Sequence, residues 1–79
     1  MTRKEAISFA ISTRKPIRHS TFGKNEYVKF YTGTFRDETW MLDEEGTFLP
    51  YDEFWAIRSG DFWEDGWNEF VFDVSFQEL

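Results

Sequence analysis

Seventy-nine residues without a single cysteine must hold a fold together by apolar burial, because neither a disulfide staple nor a thiolate metal site is available. A chain this short has room for one hydrophobic core, so residues 1–79 are read as a single domain. The material for that core is aromatic. Ten Phe, four Trp and three Tyr make up 22% of the chain, and each ring can bury on the order of 150–250 Å².

The formal charge is −6, with 15 Asp and Glu against 9 Lys and Arg, which disfavours general electrostatic attachment to nucleic acid or an anionic membrane. The two signs are segregated along the chain. Residues 1–36 carry eight bases and two acids, a local charge of +6; residues 37–79 carry thirteen acids and one base, Arg58, a local charge of −12. No apolar run approaches the roughly 20 residues of a membrane-spanning helix, and Met1 to Ala10 lacks the continuous apolar stretch of a signal peptide. The expected location is the cytoplasm.

Thr2-Arg3-Lys4-Glu5 has the pattern of a capping box. The segment after it fits a helix with Ala6, Ile7, Phe9, Ala10 and Ile11 on one broad face. It also fits a strand in which Ile7, Phe9 and Ile11 alternate with Ser8 and Ala10. The cap and the alanines favour a helix from about Arg3 to Ser12, which Pro16 ends. Pro16 to Ser20 reads as a short extended piece and Phe22 to Asn25 as a turn. Glu26 to Phe35 reads as a strand with a bulge at Gly33, and Arg36 to Glu38 as a hairpin connection into a strand over Thr39 to Leu42.

Asp43-Glu44-Glu45-Gly46 supplies the next turn. Pro50 opens a short helix over residues 51–58, with Asp52 and Glu53 favouring its N-terminal dipole and Ser59-Gly60 closing it. Asp61 to Gly66 is an acidic, aromatic loop, and Phe70, Phe72, Val74 and Phe76 alternate as a strand. The expected fold is α+β: a small antiparallel β-sheet with the N-terminal helix packed on one face and a second short helix near residues 51–58.

No catalytic constellation stands out. His19 is the one histidine, with no nucleophile pattern around it, and reads as solvent-facing or structurally satisfied. Acidic pairs are abundant, but Asp43 to Gly46 lacks calcium-loop spacing, and there is no phosphate loop or dinucleotide fingerprint. No enzyme, metal or cofactor is expected. Arg14, Lys15, Arg18 and Lys24 instead cluster around a helix exit and a strand entry, interleaved with Phe22 and Tyr27. Arginine forks suit phosphate oxygens and ring faces suit bases. The competing explanation is that these bases neutralise the acidic half, within one molecule or across an oligomer interface.

An ordered set of short motifs runs through residues 4–67: Glu5-Ala6-Ile7, Lys15-Pro16-Ile17-Arg18, Phe22-Gly23, Glu26-Tyr27-Val28, Asp43-Glu44-Glu45-Gly46, Pro50 and Asp61-Phe62-Trp63-Glu64. This order resembles a family of very small phage proteins, sharing a domain of unknown function, that includes the Thoeris anti-defence sponges. The chain departs from that pattern in three places. Phe22 stands where the family has Trp, His19 interrupts the basic pair, and the Asp-Trp pair is split by Phe62 or shifted to Asp65-Gly66-Trp67.

The resemblance implies a homo-oligomer that holds a cyclic-nucleotide-type small molecule between subunits without turnover. Arg14, Lys15, Arg18, Phe22, Tyr27, Asp61 and Trp63 are then the ligand-binding residues. A second class of function rests on the C-terminal charge: an acidic inhibitor, of anti-CRISPR or anti-restriction type, that imitates nucleic acid and blocks the basic groove of a host defence protein. Its contact surface is Asp43, Glu44, Glu45, Asp52, Glu53, Glu64 and Asp65. Neither reading involves direct binding of nucleic acid or a membrane.

Overall fold

A computed structural model of the chain describes residues 1–33 and 38–72. The first helix, α1, spans Arg3–Thr13. Both halves of the capping box are made: the Thr2 hydroxyl accepts from the Glu5 amide at 3.1 Å, and the Thr2 amide donates to the Glu5 carboxylate at 2.9 Å. Arg14 closes the helix in the left-handed region, at φ 60°, with its N–H on the Ala10 carbonyl. That conformation costs a non-glycine residue about 1 kcal/mol or more. It is offset where the Arg14 guanidinium lies 4.7 Å over the Phe30 ring and donates to the Thr32 hydroxyl.

The hydrogen bonds from Thr2, the amide first and then the hydroxyl, hold the Glu5 carboxyl below its ordinary pKa. With the folded-state pKa depressed, Glu5 supports the fold above the ordinary carboxylate range, and that support fades as pH falls through the lowered value. Thr2→Ala is expected to cost about 1 kcal/mol as a lost cap and to flatten the acid limb of the stability profile only in part, because the larger contribution, from the Thr2 amide, is kept. Thermal unfolding between pH 3 and 7 checks both.

Five short strands follow: β1 (Ile17–His19), β2 (Val28–Thr32), β3 (Thr39–Asp43), β4 (Phe48–Pro50) and β5 (Trp67–Glu69). They form one antiparallel sheet in the order β4-β3-β2-β1-β5. A six-residue helix, α2 (Tyr51–Ala56), leaves β4 directly, and a 3-10 turn at Asp61–Trp63 leads into β5. α1 packs against β2 and β5, and α2 against β3 and β4, so the two helices cover complementary halves of the sheet. The architecture is the α+β one expected.

Cross-strand partners share a face of a sheet, so the register sorts the side chains. Ile17 with Val28, His19 with Trp67, and Phe30 with Met41 and Leu49 make up the inner face beneath the helices. Ala6 and Ala10 are fully buried and let α1 approach closely; Phe54 and Trp55 do the same work in bulk from α2. Tyr51 turns its ring edge-on to Phe30, and burial raises its phenol pKa.

Several details differ from the sequence reading. α1 runs one residue further than expected, and α2 stops at Ala56 rather than residue 58 because the chain turns there toward Gly60, at φ 100°. β2 begins at Val28, and Gly33 donates to the Glu38 carbonyl at 2.9 Å as a hairpin closure instead of a bulge. The rest of the expected strand and hairpin, residues 34–37, lies outside the described residues. β4 was not expected, since Pro50 reads as a helix start; it is also the last residue of an edge strand, where a missing N–H is tolerated.

The expected strand over residues 70–76 is displaced: the ladder to β1 uses Trp67, Asn68 and Glu69. Phe70 makes one more backbone bond, to the Pro16 carbonyl, and Val71 and Phe72 belong to no strand. Burial of Trp67 sets that position. Residues 73–76 of the expected strand lie outside the described residues.

Candidate functional site

The seven residues expected to bind a phosphorylated ligand are distributed over both sides of the sheet. Arg14 sits at the end of α1, engaged with Phe30 and Thr32. Lys15 is exposed and forms a 3.9 Å ion pair with Glu69, a surface contact worth about 0–1 kcal/mol. Arg18 is half-buried; its guanidinium donates to the carbonyls of Phe22 at 2.9 Å and Lys24 at 3.5 Å, tying down the loop between β1 and β2. Phe22 is core, packed edge-on to Trp67. Tyr27 stacks on Phe70 and Phe72, with centroids 4.7 and 5.3 Å away. Asp61 is exposed at the start of the 3-10 turn, and Trp63 is half-buried with its ring 4.6 Å from His19.

Phe22 and Trp63 are therefore drawn into the packing around His19. That histidine is buried, and both ring nitrogens are engaged: Nε2 lies 2.8 Å from the Asp65 carbonyl, and Nδ1 accepts from the Thr21 amide at 3.2 Å. A carbonyl only accepts, so the proton is assigned to Nε2. His19 is a structural residue holding the β1 end to the loop before β5. Three N-terminal arginines, Arg3, Arg14 and Arg18, are likewise spent on carbonyls, a hydroxyl and rings. Arg3, for example, donates to the carbonyls of Trp55 and Arg58 past the end of α2. Among the described residues Lys15–Glu69 is the one ion pair, so neutralisation of the acidic half accounts for little of the basic cluster.

The sheet face turned away from the helices has a different character. Lys29 pairs across with Leu42, which pairs with Phe48; Tyr31 pairs with Trp40, which pairs with Pro50; Arg18 pairs with Asn68. Tyr31 and Phe48 are 39% and 48% exposed, with their rings 5.1 Å apart, and Trp40 lies 6.2 Å from Phe48. Two cations and no carboxylate occupy the paired positions of this face among the described residues; Glu38, one residue before β3, has the alternation of this face at its edge beside Gly33. Of the residues expected from sequence, Arg18 stands on this face. Tyr27, one residue before β2, has the same alternation. Lys29, Tyr31, Trp40 and Phe48 were not singled out. The alternation of Tyr27, Lys29 and Tyr31 against Val28 and Phe30 was the available signal.

The acidic set is solvated. Asp43, Glu44 and Glu45 belong to the turn between β3 and β4, where the Asp43 carboxylate accepts from the amides of Glu45 and Thr47, each at 2.9 Å. Asp52 and Glu53 lie in the first turn of α2, and Glu64 and Asp65 follow the 3-10 turn. None of these seven carboxylates forms an ion pair among the described residues. No group of three or more metal-ligating side chains is assembled among the described residues, and no helix there is long and apolar enough to cross a membrane. No family model, curated protein or solved structure matches the chain.

Proposed function

We propose that this protein is a non-catalytic binding protein that sequesters a cyclic-nucleotide-type signal, and that the ligand lies on the helix-free face of the sheet. Exposed Tyr31 and Phe48 beside Trp40, flanked by Lys29 and Arg18 with no carboxylate at the paired positions, carry the reading. Rings provide stacking of about 1–3 kcal/mol per base, and Lys29 complements phosphate, with Arg18 adding charge from a guanidinium tied to the Phe22 and Lys24 carbonyls. Such a face is open on one side. A second subunit laid over it would enclose the ligand, which agrees with the homo-oligomer implied by the family resemblance. A counter-defence role of phage type follows from the same resemblance.

A thermal-shift screen with cyclic mono- and dinucleotides tests this. At a hundredfold excess over Kd a ligand stabilises by about 2.7 kcal/mol, a Tm rise on the order of 10 °C for a domain of this size. Lys29→Glu is expected to abolish the shift while leaving the unliganded Tm within a few degrees. A full panel without a shift contradicts the proposal. The second reading, an acidic inhibitor of a basic groove in a host defence protein, is supported by the seven unpaired carboxylates. It predicts capture of a basic protein that moderate salt releases, unaffected by Lys29→Glu.

A further inference from the structure

Between the end of β4 and α2 lies an open groove of about 420 Å³, walled by Leu49, Pro50, Phe54 and Ile57, with Arg58 and Glu53 as its charged members. That volume is within the roughly 300–1,000 Å³ of small-molecule sites. Two features of the groove are left over from the packing. Ile57 is 74% exposed, an apolar side chain left at the rim. Arg58 is half-buried, with its guanidinium carbon 4.0 Å over the Phe54 ring and 5.5 Å from that of Trp63. Its Nη1 donates to the Phe54 carbonyl at 3.2 Å, but Nε is buried without a partner, and no carboxylate lies within 4.0 Å among the described residues.

A half-buried guanidinium without a counter-ion bears a desolvation cost that a carboxylate relieves by accepting from its terminal nitrogens, the buried Nε being out of a ligand's reach. Burial lowers the Arg58 pKa, and Glu26 opposes that at a distance too long for a pair. We propose that this groove binds a small amphiphilic monoanion, an apolar body carrying one carboxylate, with the body against Leu49, Phe54 and Ile57 and the carboxylate on the Arg58 guanidinium. Glu53 on the rim repels a dianion such as a phosphate monoester, which selects the singly charged head. The groove shares Pro50 with the sheet face proposed for nucleotides, but the remaining residues and the probe differ, so the two proposals fail separately.

The test is titration of the full chain with decanoate below its micelle concentration, followed by backbone amide NMR and calorimetry, with decanol as the uncharged control. Saturable shifts centred on Leu49, Ala56 and Ile57 are expected, with decanol at least tenfold weaker. Arg58→Met should reduce decanoate affinity at least tenfold and leave decanol unchanged. Ile57→Asp, at an exposed position that the core does not use, should weaken both ligands without altering the fold. Equal affinity for decanoate and decanol, shifts centred elsewhere, or no saturable binding would overturn the proposal.

Discussion

Trp67→Ala is expected to destabilise the protein by about 3–5 kcal/mol. Trp67 is fully buried and faces His19, Trp55, Phe22 and Trp63 at centroid distances of 5.0, 5.1, 5.8 and 5.9 Å. Its Nε1 donates to the Trp63 carbonyl at 2.8 Å, fastening the 3-10 turn, and its amide donates to the Met1 carbonyl at 3.1 Å. A domain of this length has a total stability of roughly 4–12 kcal/mol, so the variant loses roughly a quarter of it or more. Trp67→Phe keeps a ring but strips the Trp63 carbonyl of its donor, and should cost about 1–3 kcal/mol. Urea unfolding measures both. A loss below about 1 kcal/mol for Trp67→Ala would mean that this ring is not the centre of the core.

Gly66→Ala should cost about 2–4 kcal/mol, combining a left-handed backbone with overpacking. Gly66 has φ 92°, and an added Cβ would meet the Ser20 hydroxyl at 2.9 Å and His19 Nε2 at 3.1 Å. The exposed Ser20 hydroxyl can rotate away. The His19 ring cannot, because its two nitrogens are tied to Asp65 and Thr21 and four aromatic rings surround it. The backbone cannot retreat either, since the Gly66 carbonyl accepts from the Ser20 amide at 2.8 Å. Gly46→Ala is the matched control: φ is 82° but nothing lies within 4 Å, so only the backbone term of about 1–2 kcal/mol should remain. Equal losses at the two sites in thermal unfolding would remove the steric role assigned to His19.

The start of α1 was legible because a capping box is a local device, complete within four residues. β1, β2 and β3 were legible as extended segments; β4, the position of β5 and the faces of the sheet were not. In β2 and β3 the apolar and aromatic residues occupy both sides, Phe30 and Met41 inward and Tyr31 and Trp40 outward, so alternation does not say which row is core. Only the register and the position of the helices decide that. The same ambiguity made Phe70 and Phe72 look like a strand: they do share a side, both against the Tyr27 ring, but the ladder stops before them.

The basic cluster shows the limit most directly. Arg14, Lys15 and Arg18 are neighbours along the chain, yet a left-handed turn at Arg14 and the alternation of β1 send them to different surroundings. Phe22 and Trp63 carried the stacking role in the sequence reading because aromatic type alone does not distinguish a core ring from an open one. Their contacts with His19 and Trp67 place Phe22 in the core and Trp63 against it, while Tyr31, Phe48, Phe62 and Phe72 are left open.

The most direct measurement is a backbone amide NMR titration of the uniformly 15N-labelled protein with the cyclic nucleotide that stabilises it most. The account predicts that shifts concentrate on Lys29, Tyr31, Trp40, Leu42 and Phe48, with α1 and α2 little moved. Shifts confined to the helices, or to the acidic turn at Asp43 to Glu45, would contradict it.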